Sequence, residues 1–254
     1  MFKWIFLFNL LSINFPLLFT ENYSAEYISL PPSGTVRLTF RNVVEGHPMV
    51  LHNKVYTNSF GENYSINKFK YYVGKASLIS LSSTNSDNDI YHLINQNDSA
   101  SLSFSFSVKE GTYDSVFFLL GVDSLHNVSG AQTDALDPAN DMFWTWNSGY
   151  VMAKMEGKSS ASALNNIFEF HIGGFSGKYN VLKKIALSLA QNKLIVHQGR
   201  TSEVVIQADA NAWWQGTNDV HISATPTITT PGIMAKKISD NYGKMFSIIS
   251  VHNN

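Results

Sequence analysis

Eight histidines, seven methionines and no cysteine decide which chemistry this chain can carry. Without a thiol there is no disulfide, thiolate metal site, iron–sulfur cluster or cysteine nucleophile. Imidazole suits copper and zinc, and thioether sulfur favours Cu(I), so a histidine-based copper site is the natural metal reading. Three histidines stand out from an otherwise dispersed set. In "FEFHIGG", Phe168, Phe170 and Ile172 share one strand face, so His171 and Glu169 share the other, just before a Gly-Gly break. In "HPMVLHN", His47 and His52 flank a proline turn with Met49 between them. The bland alternative for each is a surface histidine.

Two tryptophans of the chain's five, Trp144 and Trp146, lie one residue apart in "MFWTW". On a strand they point the same way. They are read either as plugs of the core or as aromatics beside a site, and the small polar Asn147, Ser148 and Gly149 that follow suit a rim. The preceding loop carries Asp134, Asp137 and Asp141, with Asp123 upstream. Their spacing does not match a calcium loop, and Asp137-Pro138 is a turn initiator, so turn chemistry is the reading. Enzyme signatures are absent: there is no G-x-S-x-G, H-E-x-x-H, Walker A or G-x-G-x-x-G. The chain is therefore read as a non-enzyme. A net charge of −1 gives no electrostatic reason to expect nucleic acid.

The elements that must position these residues are strands. "TVRLTFR" (35–41) and "SLSFSFSV" (101–108) alternate apolar and polar, as half-buried antiparallel strands do. Further strands are predicted at 69–81, 114–120, 149–155, 166–172, 181–190, 193–197 and 202–208, separated by turn-rich clusters. A helical turn is predicted near 208–214. Met234, Ile238, Tyr242, Met245, Phe246 and Ile249 recur at helical spacing, predicting a C-terminal amphipathic helix. The expected fold is all-β, an antiparallel β-sandwich of about seven to nine strands closed by that helix.

The first twenty residues, "MFKWIFLFNLLSINFPLLFT", hold Lys3 and an apolar run interrupted by Asn9, Ser12, Asn14 and Pro16. This is read as a secretory signal peptide over 1–20, leaving 21–254 as a single domain with no membrane span. Only 15% of the residues are charged, which suits an exported, hydroxyl- and amide-rich surface.

The segment "GVDSLHNVSGAQTDALDPANDMFWTWNSGYVMAKMEG" (121–157), followed by "FEFHIGGF" (168–175), resembles the signature of the MbnP-like family. "FKYYVGKASL" (69–78) and "KISDNYGKMFSI" (237–248) extend the resemblance to residues 35 to 250. It implies an extracytoplasmic, periplasmic or secreted copper-binding protein that sequesters or delivers the ion. It also implies a di-haem, MauG-like peroxidase partner that oxidises a tryptophan to kynurenine at the copper site. Carried onto this sequence, Trp144 and Trp146 match the W-x-W, and His171 matches the strand-end histidine and is the expected copper ligand. His52 and His47 are the weaker candidates for a second ligand. The chain departs from methanobactin-linked members in having "GGFSGK" where they carry a cysteine after that histidine. The alternative is a secreted or surface interaction module that binds no metal.

Overall fold

Alternation in the sequence becomes alternation in burial. In β1 (Ser33–Val44), Val36, Leu38 and Phe40 are buried, whereas Arg37 and Arg41 face solvent. A computed structural model describes residues 32–80, 84–86, 89–144 and 149–254. The predicted signal peptide and Trp146 lie outside these residues. Pro31–Asn254 forms one compact unit.

Along the chain follow β2 (His47–Pro48), β3 (Tyr56–Thr57), the long β4 (Asn63–Ile79), β5 (Thr84–Ser86), β6 (Tyr91–Asn95) and β7 (Ser103–Lys109). Next come β8 (Gly111–Tyr113), β9 (Ser115–Leu120), the short helix α1 (Ser124–Val128), β10 (Phe143–Trp144), β11 (Gly149–Ser159) and β12 (Ile167–Gly173). The chain closes with β13 (Lys183–Ser188), β14 (Leu194–Val196), β15 (Thr201–Asp209), β16 (Thr227–Ile228), helix α2 (Ile233–Tyr242) and β17 (Phe246–His252). The nine predicted strands all fall on observed ones, and the predicted helical turn is a 3₁₀ turn at Ala210–Trp213. The larger number of strand segments comes from two- and three-residue ladders too short to leave a periodic signal. Among the described residues, no helix is long and apolar enough to cross a membrane.

A five-stranded sheet runs β17-β15-β1-β2, with β7 also on β1; a ten-stranded, curled sheet runs β13-β9-β4-β11-β12-β16, with β3, β5 and β6 on β4 and β10 on β11. The expectation of antiparallel pairing throughout is corrected at two ladders. β1 runs parallel to β15, from Thr35↔Thr201 to Val43↔Asp209, and β12 runs parallel to β16. A chain that leaves one sheet, builds the other and returns can re-enter in either direction, and neither direction marks the local sequence. The inner faces of the two sheets meet through rings: Phe40 of β1 lies 6.1 Å from Tyr71 of β4 and 5.8 Å from Phe118 of β9.

The C-terminal helix is shorter than its apolar spacing predicts. It buries Ala235, Ile238 and Tyr242 and ends at Gly243, after which Phe246 and Ile249, read as helical, belong to β17. Glycine stops helices readily, and the β-branched Ile248, Ile249 and Val251 favour the ladder that β15 offers. Phe40 sits where both sheets touch, so Phe40→Ala is expected to destabilise the protein by about 3–5 kcal/mol through lost burial and a residual cavity. Chemical denaturation checks this: the midpoint falls while the slope stays constant.

Candidate functional site

Strand alternation gives the ten-stranded sheet two unlike faces. Phe69 and Tyr71 of β4, Ala153 and Met155 of β11, and Phe168, Phe170 and Ile172 of β12 are buried in the core. The alternate positions put Lys68, Lys70, Lys154, Glu156, Glu169 and His171 on the opposite face. Register then fixes neighbours: Lys154 stands opposite Lys70 on one side and His171 on the other, and Glu156 opposite Lys68 and Glu169.

The loop between α1 and β10 is laid across this face by the lysines. Lys154, whose side chain is only 2% exposed, donates to the Asp141 carbonyl and pairs with Asp141 Oδ2 at 3.0 Å. Lys68 pairs with the same oxygen at 3.0 Å, and Lys70 donates to the Asn140 carbonyl at 2.9 Å. Local sequence shapes the loop to receive them. Asp137 caps the turn Pro138–Asn140 by accepting from Ala139 N, and Asp141 closes it in the left-handed region, φ 61°. The reading of Asp137 as turn chemistry agrees with this contact. Asp141 does more: it is the anion that anchors the turn to the sheet.

The rest of the signature ties itself to the same frame. Buried Asn127 of α1 donates to the Val122 carbonyl at 2.6 Å and accepts from Tyr150 N at 2.9 Å. Tyr150 Oη donates to the Leu136 carbonyl at 2.7 Å. These bonds bring α1, the acidic loop and the β10–β11 hairpin together.

Within this frame His171 Nε2 lies 2.9 Å from Glu156 Oε1. Burial alone would raise the Glu156 carboxyl, but His171 and Lys68, with Lys154 nearby, hold it down at about 2. An ionised carboxylate only accepts, so Nε2 is the donor in this contact, and Nδ1 makes no hydrogen bond among the described residues. Trp144 lies on the same face. Its ring covers Gly173, where an added Cβ would meet ring carbons at 2.4 and 2.5 Å, and Trp144 itself is 6% exposed. His171 and Gly173 are two residues apart on β12, about 7 Å between their backbone positions, so the indole and the imidazole lie on the same face over neighbouring positions of the strand.

His52 is set apart from this pair. Its amide bonds to the Ile66 carbonyl on the edge of β4 away from β11. Three strand spacings, roughly 14 Å, separate it laterally from β12, too far for the two imidazoles to share an ion. His47 is exposed on β2 in the five-stranded sheet. Trp146 lies outside the described residues.

Sequence reasoning missed Glu156, Lys154 and Lys68, whose place beside His171 depends on register. It also passed over His126. Asp89, Asp123 and His126 are, among the described residues, the one group of three histidine or carboxylate ligand atoms within 4.8 Å of one another. Lys75 already fills the place of a cation there: its ammonium pairs with Asp123 and lies 2.7 Å from Asp89. Asp123 also caps α1 by accepting from His126 N. This cluster is satisfied by the chain's own charge.

The chain belongs to the MbnP family, whose model matches residues 33–234. Its fold is similar to that of MbnP from Methylosinus trichosporium, at 13% identity and a TM-score of 0.52, over 80% of this chain and 83% of that one. A search of curated proteins finds no match.

Because Glu156 is held below its ordinary value of 4.5, its partners stabilise the fold fully above about pH 5, and that contribution is lost as pH falls toward 2. Urea denaturation between pH 7 and pH 3 is expected to show a steeper acid loss of stability in the wild type than in Glu156→Gln. Parallel curves would contradict this assignment.

Proposed function

We propose that this member of the MbnP family is an exported copper-binding protein that sequesters or delivers the ion, with His171 as a ligand. The observation that carries the reading is the His171–Glu156 pair. A carboxylate fixing one ring nitrogen leaves the other free and raises its basicity, the arrangement common behind metal-bound histidines. The residues suit copper on this count: the donor is an imidazole, and there is no thiolate to compete. Copper, when bound, would supply a soft cation on this face. The chain's own groups orient His171 and cover Gly173.

Trp144 or Trp146 is the proposed substrate of a di-haem, MauG-like peroxidase. Opening an indole to kynurenine adds an aryl amine and a ketone, new donors next to an imidazole. The geometry of His52 favours that source of further ligands over His52 itself.

One observation favours the second reading, an interaction module without metal. Trp144 is buried over a glycine, so packing alone accounts for its presence. A competitive Cu(I) titration of the purified protein, with His171→Ala beside it, separates the two. The copper reading predicts one-to-one binding that collapses in the variant. A folded wild type that binds no copper, before and after treatment with the peroxidase, would leave the interaction module as the account.

A further inference from the structure

A cleft of about 690 Å³ opens on the outer side of β9 and β13, lined by Phe117, Leu119, Leu182, Asn180 and Lys184, with Asp123 and Lys75 at its edge. Its size is that of a small-molecule site, for which about 300–1,000 Å³ is usual. Phe117 and Leu119 alternate with the core residues Phe118 and Leu120, so they form an apolar, half-buried floor outside the core. Leu182 is also half-buried. Three apolar side chains left part-exposed together keep apolar surface in water, and a ligand that covers them gains that burial.

The polar groups around the floor are selective. Asp123 has both oxygens engaged, Oδ1 by the amide and ring of His126 and Oδ2 by Lys75. Lys75 is likewise committed, to Asp89 and Asp123. Asn180 uses its carbonyl oxygen to accept from Leu182 N at 2.9 Å, which turns its amide donors elsewhere. Lys184, exposed on β13 opposite Leu119, has no ion pair among the described residues. The acceptors already carry bonds, and the uncommitted groups, the Lys184 ammonium and the Asn180 amide, are donors.

We infer that this cleft binds a small organic anion with an apolar body, its acid group on Lys184 and Asn180 and its body over Phe117, Leu119 and Leu182. A cation meets the Lys184 and Lys75 ammonium groups that line the cleft, and a neutral hydrocarbon leaves the two donors unanswered. The cleft is on β9 and β13, while His171 is on β12, beyond β4 and β11 in the sheet order. The inference is therefore independent of the copper reading.

Isothermal titration of the purified protein with decanoate, and separately with decyltrimethylammonium, tests it. Decanoate is expected to bind saturably at one site and the cation at least about tenfold more weakly, the scale of one charge-assisted hydrogen bond. Lys184→Gln should weaken decanoate to a similar degree. Leu119→Glu, which puts an acid in the floor, should abolish its binding; circular dichroism confirms that both variants are folded. Absence of saturable binding to the wild type, equal binding of the cation, or indifference to both substitutions would overturn the inference.

Discussion

A buried ammonium organises this molecule's distinctive surface. Lys154 projects from the middle strand of the ten-stranded sheet into a place where its side chain is 2% exposed. A charge so enclosed needs anionic and carbonyl partners, and removing one partner costs far more than a surface ion pair contributes. Its partners are the carboxylate and carbonyl of Asp141, with Glu156 Oε1 at 3.6 Å. That requirement fixes where the acidic loop lies. Three residues after Asp141 comes Trp144, so fixing the loop also places the indole on Gly173. Such a contact contributes specificity of arrangement more than net stability, since the desolvation of the lysine offsets much of the attraction.

The comparison of two clusters shows why residue type alone does not define a site. Asp89, Asp123 and His126 have the composition of a metal site, yet Lys75 occupies the charge between the two carboxylates. His171 and Glu156 look poorer by composition, but the carboxylate there orients an imidazole through one ring nitrogen and leaves the other without a hydrogen bond among the described residues. Lysines sit on the carboxylates of both, Lys75 in the first and Lys68 and Lys154 in the second, and what distinguishes the second is that ring nitrogen of His171. Family membership fits either, because a fold carries function only through its site.

Much of the fold was legible because half-buried strands write a period of two into the sequence. β1 and β12 could be read residue by residue, including the shared face of Glu169 and His171. Three things were not legible. The parallel ladder of β1 and β15 joins residues about 165 positions apart, and no local pattern encodes it. The β17 segment carries apolar residues at helical spacing, and the β-branched run Ile248, Ile249 and Val251 was the stronger signal. The Lys154–Glu156–His171 group depends on cross-strand register, which a β-bulge between Val151 and Ala153 shifts by one residue. Alternation places those side chains on one face, but only register says which of them touch. Asp141 was legible as a turn residue and not as an anchor, since its partners lie on two other strands.

Hydrogen exchange of Lys154→Met, read by mass spectrometry against the wild type, tests the central claim most directly. Methionine keeps the bulk of the aliphatic stem and removes the charge. The account predicts faster exchange through residues 133–144 while the amides of β12 and of the far end of β11 keep their protection. Unchanged protection of that loop would show that something other than the buried ammonium holds it to the sheet.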